Sequence, residues 1–291
     1  MKNVFVPLIL ALVALPAMAG QRIDKSLEAP ANALVDIHNV RGDIELRGWD
    51  QDRVQIRGIL DEETREFIFE AKGDTIVIKV ELKDRKHLQG HDGSRLEISV
   101  PQNGRVRFDG VSTDLDIEGV HGGLDLKTIS GDIDLRKATG KIMLQSVSGD
   151  LSLDDTEGKL YVNSVSGDLS GNTRSDDIRI ETVSADIDLS ASEVQVADIA
   201  SVSGEVELGC ALKAGAELRV TSVSGEVMLS LAGQPDARFE LETGPGGDIS
   251  NRLTRDEPKT NFMHASELAF SVGKGQGKVL VSTVSGSIRI E

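Results

Sequence analysis

The sequence holds little cysteine, few aromatic residues and a deficit of basic charge. One cysteine among 291 residues excludes a disulfide framework and any multi-cysteine zinc site. Aromatic residues make up 3%, with a single Trp and a single Tyr, which leaves little for stacking on bases or sugar rings. Lys and Arg number 32 against 48 Asp and Glu, and the net charge of -16 opposes non-specific binding to nucleic acid phosphates. Helical periodicity is also missing. No segment longer than ~8 residues follows it, and 30 glycines would penalise a helix.

What is present begins with an address. Lys2 precedes an apolar stretch from Val4 to Leu15, broken only by Pro7, and Pro16-Ala17-Met18-Ala19 ends in a small-x-small pattern. Residues 1–19 therefore read as a secretory signal peptide. The apolar stretch is short of the ~20 residues that span a bilayer. No Cys follows the cleavage site, so no lipoprotein anchor is indicated. The expectation is an exported, soluble chain, best matched to a Gram-negative periplasm or the cell surface.

A repeat governs the rest. Its pattern is Ser/Thr, Val/Ile, Ser, Gly/Ala, Asp/Glu, apolar, any, apolar, as in Thr128-Ile129-Ser130-Gly131-Asp132-Ile133-Asp134-Leu135 and Ser146-Val147-Ser148-Gly149-Asp150-Leu151-Ser152-Leu153. Further copies centre on Ser166, Ser184, Ser203, Ser224 and Ser285, with a degenerate one at Ser112. The serine-to-serine steps are 18, 18, 18, 18, 19, 21 and then 61. A second apolar pair stands six and four residues before each serine, as Leu124/Leu126, Ile142/Leu144 and Leu160/Val162. Period-2 alternation bounded by glycine means strands. Two strands per ~18 residues predict an all-β chain, a β-solenoid of stacked parallel coils.

Equivalent residues in such coils lie about 4.8 Å apart. The alternation predicts two internal ladders, one of Val111, Ile129, Val147, Val165, Val183, Val202 and Val223, the other of Leu115, Ile133, Leu151, Leu169, Ile187, Val206 and Val227. Glycine after the central serine shares the inward parity, with Ala185 and Thr113 as mild departures. Outward positions give an acidic column, Asp114, Asp132, Asp150, Asp168, Asp186, Glu205 and Glu226, with a partial second column at Asp116, Asp134, Asp188 and Glu207. The opposite face carries Arg105, Arg107, Lys127, Lys141, Lys159, Arg179, Arg219 and Lys278 among fewer acids. A slab with one acidic and one more basic side is expected.

Asp132, Asp150, Asp168 and Asp186 are candidates for a cation ladder, since carboxylate oxygens suit Ca²⁺. The glycine-rich cage of Ca²⁺-binding nonapeptides is missing, which favours a solvated face, and no metal site is assigned. Two hydroxyl columns, Thr128 to Thr283 and Ser130 to Ser285, invite comparison with ice-binding arrays, but the acids beside them oppose it.

Residues 20–101 carry further strands at 34–38, 43–46, 54–59, 67–71, 75–82 and 95–100, and Val40 to Leu46 is a diverged repeat. This segment reads as an N-terminal β cap, residues 102–230 as the regular coils, and 231–291 as interrupted coils. In the last segment, 251–271 is expected to project and 277–290 to close the stack. His87 and His91, with Asp92 adjacent, read as a polar loop rather than a metal pair; His38, His121 and His264 are isolated, and Cys210 is a packed thiol. No nucleophile elbow, phosphate loop or metalloprotease motif occurs, and no catalytic or cofactor-binding residue is assigned. A β-helical polysaccharide enzyme would want aromatic platforms, for which only Trp49 and Tyr161 are available.

The Ser-Val-Ser-Gly-Asp-Leu phrases, together with Gly42 to Asp50 and Leu96 to Pro101, resemble the bacterial putative-adhesin family of β-strand-repeat proteins, a domain of unknown function. The resemblance covers nearly all of the chain after residue 19. It implies a β-strand-repeat fold in the cell envelope, with adhesion suggested by the name and no catalytic residues to carry over. The expected function is a non-enzymatic binding or scaffolding surface toward an envelope or extracellular protein or glycan. The rivals are a periplasmic structural or stress partner, a carbohydrate-active enzyme and a Ca²⁺-binding repeat.

Overall fold

The computed structural model describes residues 20–83, 93–261 and 264–291. The expected signal peptide, residues 1–19, and the residues His87, His91 and Asp92 lie outside them. Within them the chain is all-β and no residue is helical. The strand ranges 75–82 and 95–100 expected from alternation meet Thr75–Leu82 and Ser94–Pro101, while 34–38 and 43–46 merge into one strand, Leu34–Trp49.

Apolar alternation becomes parallel pairing one repeat apart. Ile142 faces Leu160, Leu160 faces Ile178, Ile133 faces Leu151 and Leu151 faces Leu169, so each 18-residue repeat lies in register on the one before. Longer steps are absorbed where sheets end. The extra residue of the 19-residue repeat enters between the pairs Thr173/Ala191 and Asp177/Val196, and the 21-residue repeat shifts register between Val194 and Val196. The inward members of both strand segments, such as Leu124, Leu126, Ile133, Leu135, Leu151 and Leu153, join one apolar core. Branched aliphatics stack there without voids because each meets its own shape along the column.

Both ends switch to antiparallel pairing. Arg22–Glu28 pairs with Arg53–Ile59, which pairs with Ser94–Pro101, and Thr64–Lys72 pairs with Thr75–Leu82. At the other end Ala237–Thr243 pairs with Ser266–Val272. Chain order and stacking order also differ. Gly277–Ser285, expected to close the stack, lies one coil inside it, between Val206–Ser224 and Ala237–Thr243. The segment after 251 contributes Lys259–Thr260 and Ser266–Val272 to this end rather than only projecting from it.

One of the two expected internal ladders is on the outside. Leu151 is 1% exposed and its column is buried, but Ile129, Val147, Val165, Val183, Val202 and Val223 are 45–49% exposed and Val111 is half-buried. The cause is a corner. Ser146 turns inward; its hydroxyl accepts the Gly149 N–H at 2.9 Å and donates to the Gly149 carbonyl at 3.0 Å. Two consecutive residues, Val147 and Ser148, then face out before alternation resumes at buried Gly149. Thr128, Ser146, Ser164, Thr182, Ser201, Ser222 and Thr283 are therefore buried, and one of the two expected outer hydroxyl columns is internal.

Candidate functional site: an exposed apolar ladder

Each residue of the Ser-Val-Ser-Gly-Asp-Leu phrase except one has a structural role. The first serine caps the corner. The hydroxyl of the second serine, Ser148, donates to the Ile129 carbonyl of the preceding coil at 3.1 Å, as Ser166 does to Val147 at 3.0 Å. Gly149 sits so close to that coil that a Cβ would stand 1.9 Å from the Gly131 carbonyl oxygen. Ala185 occupies the same corner position and is buried. Asp132 accepts the Asp150 N–H at 2.9 Å, and the same bond recurs from Asp114 through Asp186 to Glu205. The leucine fills the core. The valine lends its carbonyl to the next coil's serine, but its side chain does none of these things.

Among the described residues, the exposed large apolar side chains are those of Ile129, Val147, Val165, Val183, Val202, Val223 and Val284. They form one column, since Ser222 and Ser224 pair with Thr283 and Ser285, which places Val284 beside Val223. At the parallel spacing the seven rungs run roughly 29 Å. Beside them lies an open groove of about 590 Å³, walled by Val147, Val165, Val183 and Val202 on one side and by Lys127, Gln145, Asn163 and Glu181 on the other. A single exposed valine needs no explanation, whereas a contiguous row of them singles this column out as the candidate site.

The acidic candidates Asp132, Asp150, Asp168 and Asp186 do form one exposed column, each with Oδ1 engaged by the next coil's backbone N–H. In the second acidic column, burial raises the Asp116 carboxyl, but hydrogen bonds from Arg47 and Arg136 outweigh it and hold that group below the usual range. On the opposite face Arg105, Arg107, Lys127, Lys141, Lys159, Arg179, Arg219 and Lys278 are exposed, but Asp125 and Asp177 stand in register with Arg107 and Lys159 and pair with them at 3.8 and 3.4 Å. That face is mixed. Both amphipathic rings are covered by cations: Arg53 lies 5.1 Å over Trp49, and Lys141 and Arg179 lie 5.2 and 5.7 Å from Tyr161. Trp49 also donates its indole N–H to the Arg53 carbonyl at 2.8 Å. Cys210 is buried as expected, and burial pushes its thiol up to about 12. Sequence reasoning passed over the valine column as a surface because strict alternation carried it through the corner.

The family model described as Toastrack DUF4097 matches residues 31–291. The chain belongs to that family. The match agrees with the resemblance carried by the repeat phrases and the Gly42–Asp50 segment. No curated protein matches the chain. Among solved structures, it is similar to a putative adhesin from Bacteroides fragilis at 14% identity and TM-score 0.43, over 93% of this chain and 97% of that one. It is likewise similar to a putative lipid binding protein from Parabacteroides distasonis at 12% identity and TM-score 0.49, over 94% and 97%. A putative adhesin from Parabacteroides merdae aligns at 10% identity and TM-score 0.37, over 94% and 97%. Among the described residues no helix is long and apolar enough to cross a membrane.

Proposed function

We propose that this Toastrack chain is an exported, non-enzymatic β-solenoid that presents a binding surface in the bacterial envelope, as an adhesin-like or scaffolding protein. The observation that carries the reading is the exposed valine column, the one side chain of the repeat phrase with no role in the corner, the core or the coil-to-coil hydrogen bonds. A rigid stack fixes the rungs at constant spacing, so recognition loses little conformational entropy on the protein's side. The partner is an apolar segment of an envelope or extracellular protein. A glycan is disfavoured because Trp49 and Tyr161 already lie under cations and the ladder offers only aliphatic rungs.

The test is capture from envelope extract by the immobilised mature chain, beside a Val147→Ser/Val165→Ser/Val183→Ser variant. The wild-type chain should retain a protein that the variant releases. Equal capture by both would overturn the ladder as the binding face. Fractionation that finds the native protein only in the cytoplasm would overturn export, and strict periplasmic retention would remove adhesion to other cells.

A further inference from the structure

The N-terminal end of the stack brings together three side chains that sequence spacing keeps apart. Asp36 and His38 share one face of the strand Leu34–Trp49, and His38 lies directly opposite Asp109 on the parallel strand Arg105–Glu118. His38 Nε2 stands 3.5 Å from Asp36 Oδ2, and its Nδ1 stands 3.8 Å from Asp109 Oδ2. One donor atom from each residue can be chosen so that all three lie within 4.8 Å of one another. Zn²⁺ bonds of about 2.0–2.2 Å at tetrahedral angles set ligand atoms roughly 3.3–3.6 Å apart, so an ion on one ring nitrogen finds one carboxylate in place and draws the other in by a side-chain adjustment.

Two further observations point to a bound cation. The Asp36 Oδ1 atom is buried and has no hydrogen-bond partner. The basic residues beside the trio are engaged elsewhere: Lys79, next to His38, holds Glu81 at 2.6 Å, and Arg107, next to Asp36, pairs with Asp125 at 3.8 Å. Two carboxylates thus face one imidazole, with no Lys or Arg bridging them among the described ion pairs. A neutral imidazole has one N–H and satisfies one of them; an imidazolium satisfies both, and a divalent ion held on one ring nitrogen by both carboxylates competes with that second proton.

We propose that Asp36, His38 and Asp109 form a binding site for a divalent transition metal of the zinc class. One nitrogen and two oxygens suit Zn²⁺ better than Ca²⁺, which takes six to eight oxygens. Three protein ligands leave a coordination position open. His38 and Asp109, though not Asp36, also line an open cavity of about 400 Å³ with Arg65, Lys79 and Glu81, from which water or a partner's side chain could complete the shell. The site belongs to the irregular first coils, because the regular repeats carry no histidine at the matching positions.

The test is calorimetric titration of the untagged, chelator-treated chain with ZnCl₂, beside His38→Ala, Asp109→Asn and a His87→Ala/His91→Ala double variant. Circular dichroism and thermal melting establish that each variant is folded; Asp109 is 43% exposed, so its amide should leave the fold intact. The wild-type chain and the double variant should bind one Zn²⁺, with affinity falling more than about tenfold in His38→Ala and Asp109→Asn. Absence of wild-type binding would overturn the site. So would binding that survives His38→Ala, or binding lost only in the double variant. Substituting Co²⁺ gives a second readout, since visible absorption bands of the tetrahedral ion should appear with the wild-type chain and vanish with His38→Ala.

Discussion

Asp150 accepts the backbone N–H of Asp168 through Oδ1 at 3.0 Å, and Asp132 does the same for Asp150 at 2.9 Å. This bond explains how an acidic column survives its own repulsion. Like charges about 4.8 Å apart cost stability, but each carboxylate satisfies an amide at the corner where the parallel ladder restarts. The repeat needs an acceptor of that reach more than it needs a charge.

Asp150→Asn keeps an acceptor oxygen and removes a charge from the column. The melting temperature should hold or rise, while Asp150→Ala, which orphans the Asp168 N–H, should cost about 1 kcal/mol. The same melts in millimolar Ca²⁺ test Asp132, Asp150, Asp168 and Asp186 as a cation ladder. No rise is expected. A rise that Asp150→Asn abolishes would assign a cation there.

The Asp116 carboxyl gives a pH dependence with a definite sign. Burial raises it, but Arg47 and Arg136 lower it more, so its folded value lies below the usual ~4 of an unfolded aspartate. A group depressed on folding contributes stability that is complete above its unfolded value and is lost as the pH falls through its folded one. Melting temperature measured from neutral to strongly acidic pH should fall below ~4 in the wild-type chain. Asp116→Asn should start lower at neutral pH and lose less over that acid range.

Cys210 should be inert in the native state. With burial pushing its thiol up to about 12, almost none is thiolate at mildly alkaline pH. A chromogenic disulfide reagent should leave the folded chain unmodified over minutes and titrate one thiol in denaturant. Rapid native labelling would mean that the core around Cys210 opens readily.

The strands and the coil period were legible because a core one residue deep writes its alternation directly into the chain, as Leu151-Ser152-Leu153 does. Two things were not legible. The hydrogen bond from Gly149 to the Ser146 hydroxyl spans three residues and inserts a corner that reverses the parity of Val147, which alternation alone cannot register. The pairing of His38 with Asp109 and the insertion of Gly277–Ser285 before Ala237–Thr243 join residues far apart in sequence, where no local pattern reports the partner. The apolar ladder was therefore visible as a column and assigned to the wrong side.

The corner makes a prediction that separates the two sides of one repeat. Val147 and Leu151 are four residues apart and both aliphatic, yet Val147 is 45% exposed and Leu151 is 1% exposed. Leu151→Ala should cost roughly 2–5 kcal/mol through lost burial and the cavity left behind, and Leu151→Asp more, because it buries a charge without a partner. Val147→Ser should change stability by no more than about 0.5 kcal/mol, since its side chain has no core contact to lose. Chemical denaturation of the three variants measures this directly. If Val147→Ser unfolds the chain as Leu151→Ala does, the ladder is part of the core. If it leaves the midpoint in place, the ladder is free for a partner, and binding can then be scored in that variant without loss of fold.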